Sequence, residues 1–247
     1  ILEDITVQIE PGSHVGIVGP SGAGKSSLVG ILLGWHRPAA GKVLVDGEPL
    51  DGRLESLRSA TAWVDPAVHL WNRSFLDNLR YGAGDGAARP FGEVLDAAEL
   101  RGILEKLPEG METSLGEGGA LVSGGEGQRV RLGRAMLRPG VRLVILDEPF
   151  RGLDRRQRHN LLARARRLWA GATLLCITHD VGETVSFERV LVVESGRIVE
   201  DGSPMRLAHQ ATSRYRALLD AETSVREGFW SGRAWRRITL EDGRTVA

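Results

Sequence analysis

The stretch that most restricts the fold is Gly19-Pro20-Ser21-Gly22-Ala23-Gly24-Lys25-Ser26. It follows a short apolar run, Val15-Gly16-Ile17-Val18, and precedes an apolar segment from Ser27 to Gly34. The run has the length and the bounding Gly and Pro of a buried strand, and the segment after it reads as a helix. Glycines between them let backbone N–H groups converge on phosphate oxygens, and the helix N-terminus adds positive dipole. In that setting Lys25 is placed to reach the β- and γ-phosphates of a nucleotide, and the Ser26 hydroxyl to ligate Mg²⁺. Lys25, Lys42 and Lys106 are the only lysines among 32 basic residues, so a scarce residue type stands where the loop requires it.

Other short apolar runs extend the pattern. Arg142 to Leu146 and Ala172 to Ile177 read as buried strands, and Arg156 to Trp169 has helical spacing. Lys42 to Leu50 is expected to form a hairpin at Asp46-Gly47, and Val190 to Val193 with Arg197 to Val199 another at Ser195-Gly196. Strands alternating with helices imply an α/β core with a largely parallel sheet. Leu76 to about Met136 is helix-rich, with Phe91 to Leu107 expected as one amphipathic helix and Gly116 to Gly127 as a glycine-dense loop. It reads as a helical subdomain inserted into the core. Ser203-Pro204 is a good N-cap and first-turn pair for a helix to about Arg226, and a small hairpin at Asp242-Gly243 closes the chain.

Composition sets limits. A hydrophobic share of 42% in 247 residues supplies a sizeable core. The 32 basic and 32 acidic residues cancel, which gives no global argument for nucleic-acid or membrane-surface binding. Cys176 is the only cysteine and is read as core filler in a strand, consistent with a reducing compartment. No stretch approaches the ~18 consecutive apolar residues of a membrane span. The chain starts without Met, inside an apolar pattern and without the features of a signal peptide, and is expected to be a piece of something longer.

Two further constellations carry chemistry. Asp147-Glu148 ends the Leu143 to Leu146 strand, and a carboxylate there faces the ligand crevice of an open α/β sheet. Asp147 can hold Mg²⁺, and Glu148 can polarise an attacking water. Val122-Ser123-Gly124-Gly125-Glu126-Gly127-Gln128-Arg129 opens a helix with two glycines, with Glu126 in the first turn where negative charge is favourable.

Together these motifs resemble the nucleotide-binding domain of ATP-binding-cassette (ABC) transporters, over nearly the whole chain. Gly19 to Ser26 matches the family's Walker A, with Ser27 following it, and Leu143 to Glu148 matches Walker B with its catalytic glutamate. Ser123 to Arg129 matches the signature motif, Arg151-Gly152-Leu153-Asp154 the D-loop, and Thr178-His179-Asp180 the switch histidine. The resemblance implies a P-loop NTPase with a RecA-like core and antiparallel β-subdomain (1–72 and 137–227), a helical signature subdomain (73–136) and a C-terminal extension (228–247). It implies ATP and Mg²⁺ as ligands, held between two domains packed head to tail. Ser123, Gly124, Gly125 and Glu126 would meet the nucleotide held by the partner's Lys25 loop, near Asp154. Glu148 would polarise water, and His179 would contact the γ-phosphate. The implied setting is the cytoplasmic face of a membrane, attached to transmembrane domains, and Thr113 to Gly119 resembles the loop by which exporter-type cassettes contact them.

The sequence also departs from the family. Pro66 stands where the family carries a glutamine that helps coordinate Mg²⁺, and the neighbouring Asp65 is a candidate substitute. The signature has Val122 for the usual Leu and Glu126 for the usual Gln. The aromatic residue that stacks on adenine would precede Ile1. Trp230 and Trp235 with Arg233, Arg236 and Arg237 lie beyond the common pattern and either pack on their own domain or form a partner patch. The arginines from Arg155 to Arg167 read as a solvated helix face rather than a nucleic-acid stripe, because Leu161, Leu162, Ala165, Leu168 and Trp169 interleave at helical spacing. Two other readings compete with an exporter ATPase: a non-catalytic partner cassette, suggested by Pro66, and a soluble ABC ATPase acting on nucleic acid.

Overall fold

The computed structural model describes residues 2–65, 67, 69–84, 89–231, 239–241 and 244–246, with side chains described as far as residue 225. Pro66 and the Trp- and Arg-rich part of the tail lie outside that description.

The apolar runs form a six-stranded sheet. β1 (His14–Val18), β4 (Thr61–Val64), β5 (Leu143–Asp147), β6 (Thr173–Ile177) and β7 (Arg189–Glu194) are parallel, and β8 (Arg197–Gly202) returns antiparallel to β7, in the order β4-β5-β6-β1-β7-β8. Side chains alternate across each strand, and here both faces are covered. Val144, Leu146, Leu174 and Cys176 enter one apolar core, while Ile145, Leu175 and Ile177 enter the other with Val15, Ile17, Leu28 and Val29. That double burial is why these strands read as continuous apolar runs. The second core is roofed by α1 (Lys25–Leu32), and the first by α7 (Arg155–Leu168), whose Leu161, Leu162 and Ala165 face inward.

The expected helical region shares the first core rather than building its own. Phe75 and Leu79 of α3 (Phe75–Arg80), Val94 and Leu95 of α4 (Phe91–Ala97), Ile103 of α5 (Arg101–Leu104), and Val130 and Met136 of α6 (Gly124–Leu137) pack together with Val144 and Leu146 of the sheet. The hairpin at Asp46-Gly47 is short, pairing β2 (Leu44–Val45) with β3 (Glu48–Pro49), and leads into α2 (Leu50–Ser59), a helix the apolar pattern does not announce.

Three expectations are corrected. Phe91 to Leu107 is not one helix: Glu99 adopts φ 53° between α4 and α5, which turns Leu100 and Ile103 into the core while Arg129 Nη1 donates to the Glu99 carbonyl. The glycine-dense loop ends at Ser123, because Gly124 to Gly127 already belong to α6. The helix after Ser203-Pro204 is two, α8 (Pro204–His209) and α9 (Arg214–Ser231), and the Ser203 side chain caps neither. Ser213 caps α9 instead, its Oγ accepting from the Arg216 N–H at 3.2 Å, and the Glu200 carboxylate of β8 adds to the cap, accepting from the backbone N–H groups of Arg214 (2.8 Å) and Tyr215 (2.9 Å). The break lets Tyr215 turn inward, where its hydroxyl meets Thr184 Oγ1 at 3.0 Å. The terminal hairpin forms as expected, with β9 (Thr239–Glu241) against β10 (Arg244–Val246).

Candidate functional site

Parallel strands place their carboxyl ends on one edge of a sheet, so residues far apart in sequence meet there. β1 delivers Gly19 to Ser26, β4 delivers Asp65, β5 delivers Asp147 and Glu148, and β6 delivers Thr178 and His179.

The loop after β1 is held by its glycines. Gly19 adopts φ 146°, and a Cβ there would overlap the carbonyl oxygen of Val193 in the neighbouring strand. Gly22 and Gly24 also take positive φ, which swings the chain into α1. Lys25, at the first turn of α1, is 7% exposed, and its Nζ donates to the carbonyls of Gly19 (2.8 Å) and Pro20 (2.9 Å). Burial lowers its ammonium from the usual lysine range, against the pull of the Glu148 and Asp147 carboxylates.

Asp147 is 4% exposed at the end of β5. Burial, followed by the neighbouring Glu148 charge, pushes its carboxyl up to about 6, while a hydrogen bond from Ser26 and the charge of Lys25 pull the other way. Glu148 takes φ 46° immediately after the strand, and its N–H is tied to the Ile177 carbonyl at 2.9 Å. The turn carries its side chain toward β6, where Glu148 Oε1 lies 3.4 Å from His179 Nδ1. Lys25, Ser26, Asp147, Glu148 and His179 thus lie together at this edge of the sheet.

Asp65 sits close enough to raise the Asp147 pKa, but it is already engaged. Its Oδ1 accepts from the Ala67 N–H at 2.7 Å and from Arg131 Nη1 at 3.3 Å. Arg131, in α6, is buried and also donates to Gln128 and to the Ala67 carbonyl, so the helix that begins at Ser123 is joined to the end of β4. Arg131 was not expected as part of the site; as a charged residue on the inner face of an amphipathic helix, it carried the signal of a buried partner.

The Ser123 segment lies elsewhere on the chain. Ser123 is the N-cap of α6, and with Glu126 it forms a reciprocal capping box: Ser123 Oγ accepts from the Glu126 N–H at 3.3 Å, and Glu126 Oε2 from the Ser123 N–H at 2.9 Å. The Ser123 N–H, and then Lys106 at 3.1 Å, hold the Glu126 carboxyl below its ordinary range. Gly125 packs against Leu153, where an added Cβ would crowd the leucine methyl, so this helix start abuts the loop carrying Asp154. Asp154 itself caps α7 by accepting from the Gln157 N–H at 2.9 Å. Thr113 to Gly119 packs across the start of α3: Phe75 N–H donates to the Thr113 carbonyl and Leu115 N–H to that of Arg73, both at 2.9 Å.

A β1–glycine loop–α1 unit on a parallel sheet, with a buried aspartate at the end of β5, is the P-loop NTPase fold. The family model described as ABC transporter matches residues 2–151, more than half of the 247-residue chain, and the chain belongs to that family. An ATP-dependent lipid A-core flippase of Alkalilimnicola ehrlichii is 36% identical over 212 residues, covering 84% of this chain and 35% of the flippase. The flippase of the same description from Ralstonia nicotianae is 34% identical over 235 residues, covering 94% of this chain and 37% of its own length. Among solved structures, a bacterial Atm1-family ABC exporter with ATP bound superposes with a TM-score of 0.81 at 29% identity, over 96% of this chain and 40% of the exporter. The chain therefore spans little more than a third of the length of these relatives. Among the described residues, no helix is long and apolar enough to cross a membrane.

Proposed function

We propose that the chain binds and hydrolyses MgATP between two such domains packed head to tail, and that this powers export through transmembrane domains fused or associated with it. The observation that carries the reading is the convergence of Lys25, Ser26, Asp147, Glu148 and His179 at the carboxyl ends of β1, β5 and β6. The donor chemistry suits both ligands. Lys25 and the N-terminus of α1 answer phosphate charge, and the two carbonyls that now take the Lys25 hydrogen bonds would give way to phosphate oxygens. Asp147 is a buried carboxylate bonded to a hydroxyl, and its ionised form lacks a full counter-charge, a setting a hard divalent cation satisfies. Mg²⁺, when bound, would neutralise charge between the phosphates. Glu148 then orients and deprotonates the attacking water, and His179, beside it, holds the γ-phosphate in line. The capped N-terminus of α6 supplies the second anion-seeking face, contributed by the partner domain at Ser123 and Gly125, with Glu126 and Asp154 beside it.

The surface next to β4 supports attachment to a membrane portion on the cytoplasmic side. Trp63 and Trp35 meet edge-on at 4.7 Å and remain 37% and 50% exposed. A cavity of about 380 Å³ opens beside them, lined by Asp65, Trp71, Tyr81 and Arg134, with the Arg134 guanidinium stacked 4.3 Å over Trp71. An exposed aromatic surface rimmed by arginine is the composition of a protein contact, and it joins the loop of Thr113 to Gly119 through Arg73 and Phe75. Steady-state ATP hydrolysis by wild type and by Glu148→Gln tests the reading. Turnover in the wild type that is lost in Glu148→Gln, with ATP binding kept, is expected. ATP binding without turnover in either protein, at concentrations permitting dimers, would make the chain a non-catalytic cassette.

A further inference from the structure

His179 projects from the end of β6 with its side chain 58% exposed, and its contact with Glu148 at 3.4 Å is too long to fix the ring. The residues on either side of it are fixed instead. Thr178 and Asp180 are both buried. Thr178 Oγ1 donates to Glu183 Oε2 at 2.9 Å and accepts from the Asp180 N–H at 3.0 Å, which closes a small ring around the backbone of His179. One guanidinium spans that ring: Arg158 Nη2 lies 2.6 Å from Asp180 Oδ2, and Arg158 Nε lies 3.4 Å from Glu183 Oε1. The second contact lacks hydrogen-bond geometry, leaving Arg158 Nε and Glu183 Oε1 without hydrogen-bond partners among the described residues. On the far side, Glu222 of α9 accepts from the Gly182 N–H at 2.9 Å. Arg158 stands one helical turn into α7, its N–H bonded to the carbonyl of Asp154 at 2.9 Å.

Two buried carboxylates and one guanidinium form a costly arrangement to bury, and such networks hold a single geometry only while every member is present. None of the three has a place in the water-activating machinery described above. We propose that Arg158 is a positioning residue for His179, acting through Asp180 and Glu183 to hold the backbone on both sides of the imidazole. This rests on the reading of His179 as a phosphate-facing group. Arg158 ties that segment to the helix capped by Asp154, so the start of α7 and the imidazole move as one body.

Single-turnover and steady-state ATP hydrolysis by the full chain tests the inference. Arg158→Met is expected to lower turnover by about 10- to 100-fold, the effect of misplacing a catalytic group by roughly an ångström, while the KM for ATP stays within about threefold. Arg158→Lys, which keeps the charge, is expected to recover part of the loss. In a His179→Ala background, adding Arg158→Met should change the residual rate by less than about twofold, as required of a residue that acts through another. If Arg158→Met does not fold, the pair Arg158→Met with Asp180→Asn removes charge on both sides of the contact and is read by the same criteria. Unchanged turnover in Arg158→Met, a loss expressed in KM alone, or an equal loss in the His179→Ala background would each overturn the inference. Wild-type turnover in His179→Ala itself would remove the role of His179 and this inference with it. A loss in His179→Ala with none in Arg158→Met would sink the inference while leaving the proposed function standing.

Discussion

Replacing Asp147 with Asn should stabilise the ligand-free chain while disabling its site. Asp147 is 4% exposed, and burial pushes its carboxyl from the ordinary 3.8 up to about 6. A proton on this group is therefore favoured more in the folded chain than in the unfolded one. The sign follows from that: the group's contribution to stability is fully present below about pH 3.8 and is lost as pH rises through about 6. At about 1.4 kcal/mol per pH unit, the ionised carboxylate costs the folded chain about 3 kcal/mol at pH 8. Asn keeps the size and still offers a carbonyl to the Ser26 hydroxyl, but it cannot ionise. Urea denaturation of both proteins at pH 4 and pH 8 is the assay. The stability of Asp147→Asn relative to wild type should rise by about 2.5 kcal/mol between the two, because about 0.5 kcal/mol of the cost is already present at pH 4. Mg²⁺-dependent ATP binding by the variant should fall at the same time. A pH-independent difference, or a variant that loses ground as pH rises, would refute the reasoning and show that Asp147 ionises without cost.

Gly19→Ala should cost about 3 kcal/mol or more and abolish ATP binding, since the conformation at φ 146° and the Val193 carbonyl both oppose a side chain; urea denaturation with an ATP titration checks both effects. Ser123→Ala removes the N-cap of α6 and should cost about 1 kcal/mol, whereas Lys106→Gln, which removes only a solvated partner of Glu126, should cost less than about 0.5 kcal/mol. Equal losses in thermal denaturation would show that the ion pair, not the cap, holds the helix start. Cys176 is fully buried, and burial raises its thiol, so alkylation should be slowed on the order of 10³-fold or more against the urea-unfolded chain. Rapid labelling of the folded protein would show that β6 opens locally.

How far the structure was legible depended on whether the determining interaction was local. The loop from Gly19 to Ser26 imposes its own conformation, and the strands buried on both faces carry an unbroken apolar code, so the parallel sheet and its loaded edge could be read directly. The two hairpins were equally plain, because Asp46-Gly47 and Ser195-Gly196 supply the positive φ that tight turns need. The errors fall where tertiary contacts decide. Nothing near Glu99 signals a break between helices; the demand comes from Leu100 and Ile103 reaching a shared core and from Arg129, 30 residues away. The break after Gln210 was half legible: Ser213 is a local N-cap for α9, accepting from the Arg216 N–H at 3.2 Å, whereas the second cap, Glu200, comes from a strand. The pairs Lys106–Glu126 and Arg158–Asp180 were invisible for the same reason, although both partners of each lay in segments already of interest.

The backbone of Glu148 sets it apart from Asp46, Glu99 and Ser195, which also take positive φ. Asp46 and Ser195 take positive φ in hairpin turns, and Glu99 takes it where one helix gives way to the next; in each case the conformation serves a change of chain direction. Glu148 takes φ 46° directly after a buried strand. Such a conformation in a non-glycine residue costs on the order of 1–3 kcal/mol and survives only where its surroundings over-determine it. Here the determinant is the bond from the Glu148 N–H to the Ile177 carbonyl, which carries the carboxylate off β5 and toward His179. The neighbouring Asp147 bears the charge cost of burial, and Lys25 is buried beside both carboxylates. Three separate departures from what stability alone would select therefore coincide within one strand end and the loop facing it. Coincidence of that kind is expected where a fold has been selected to hold phosphate and a divalent cation.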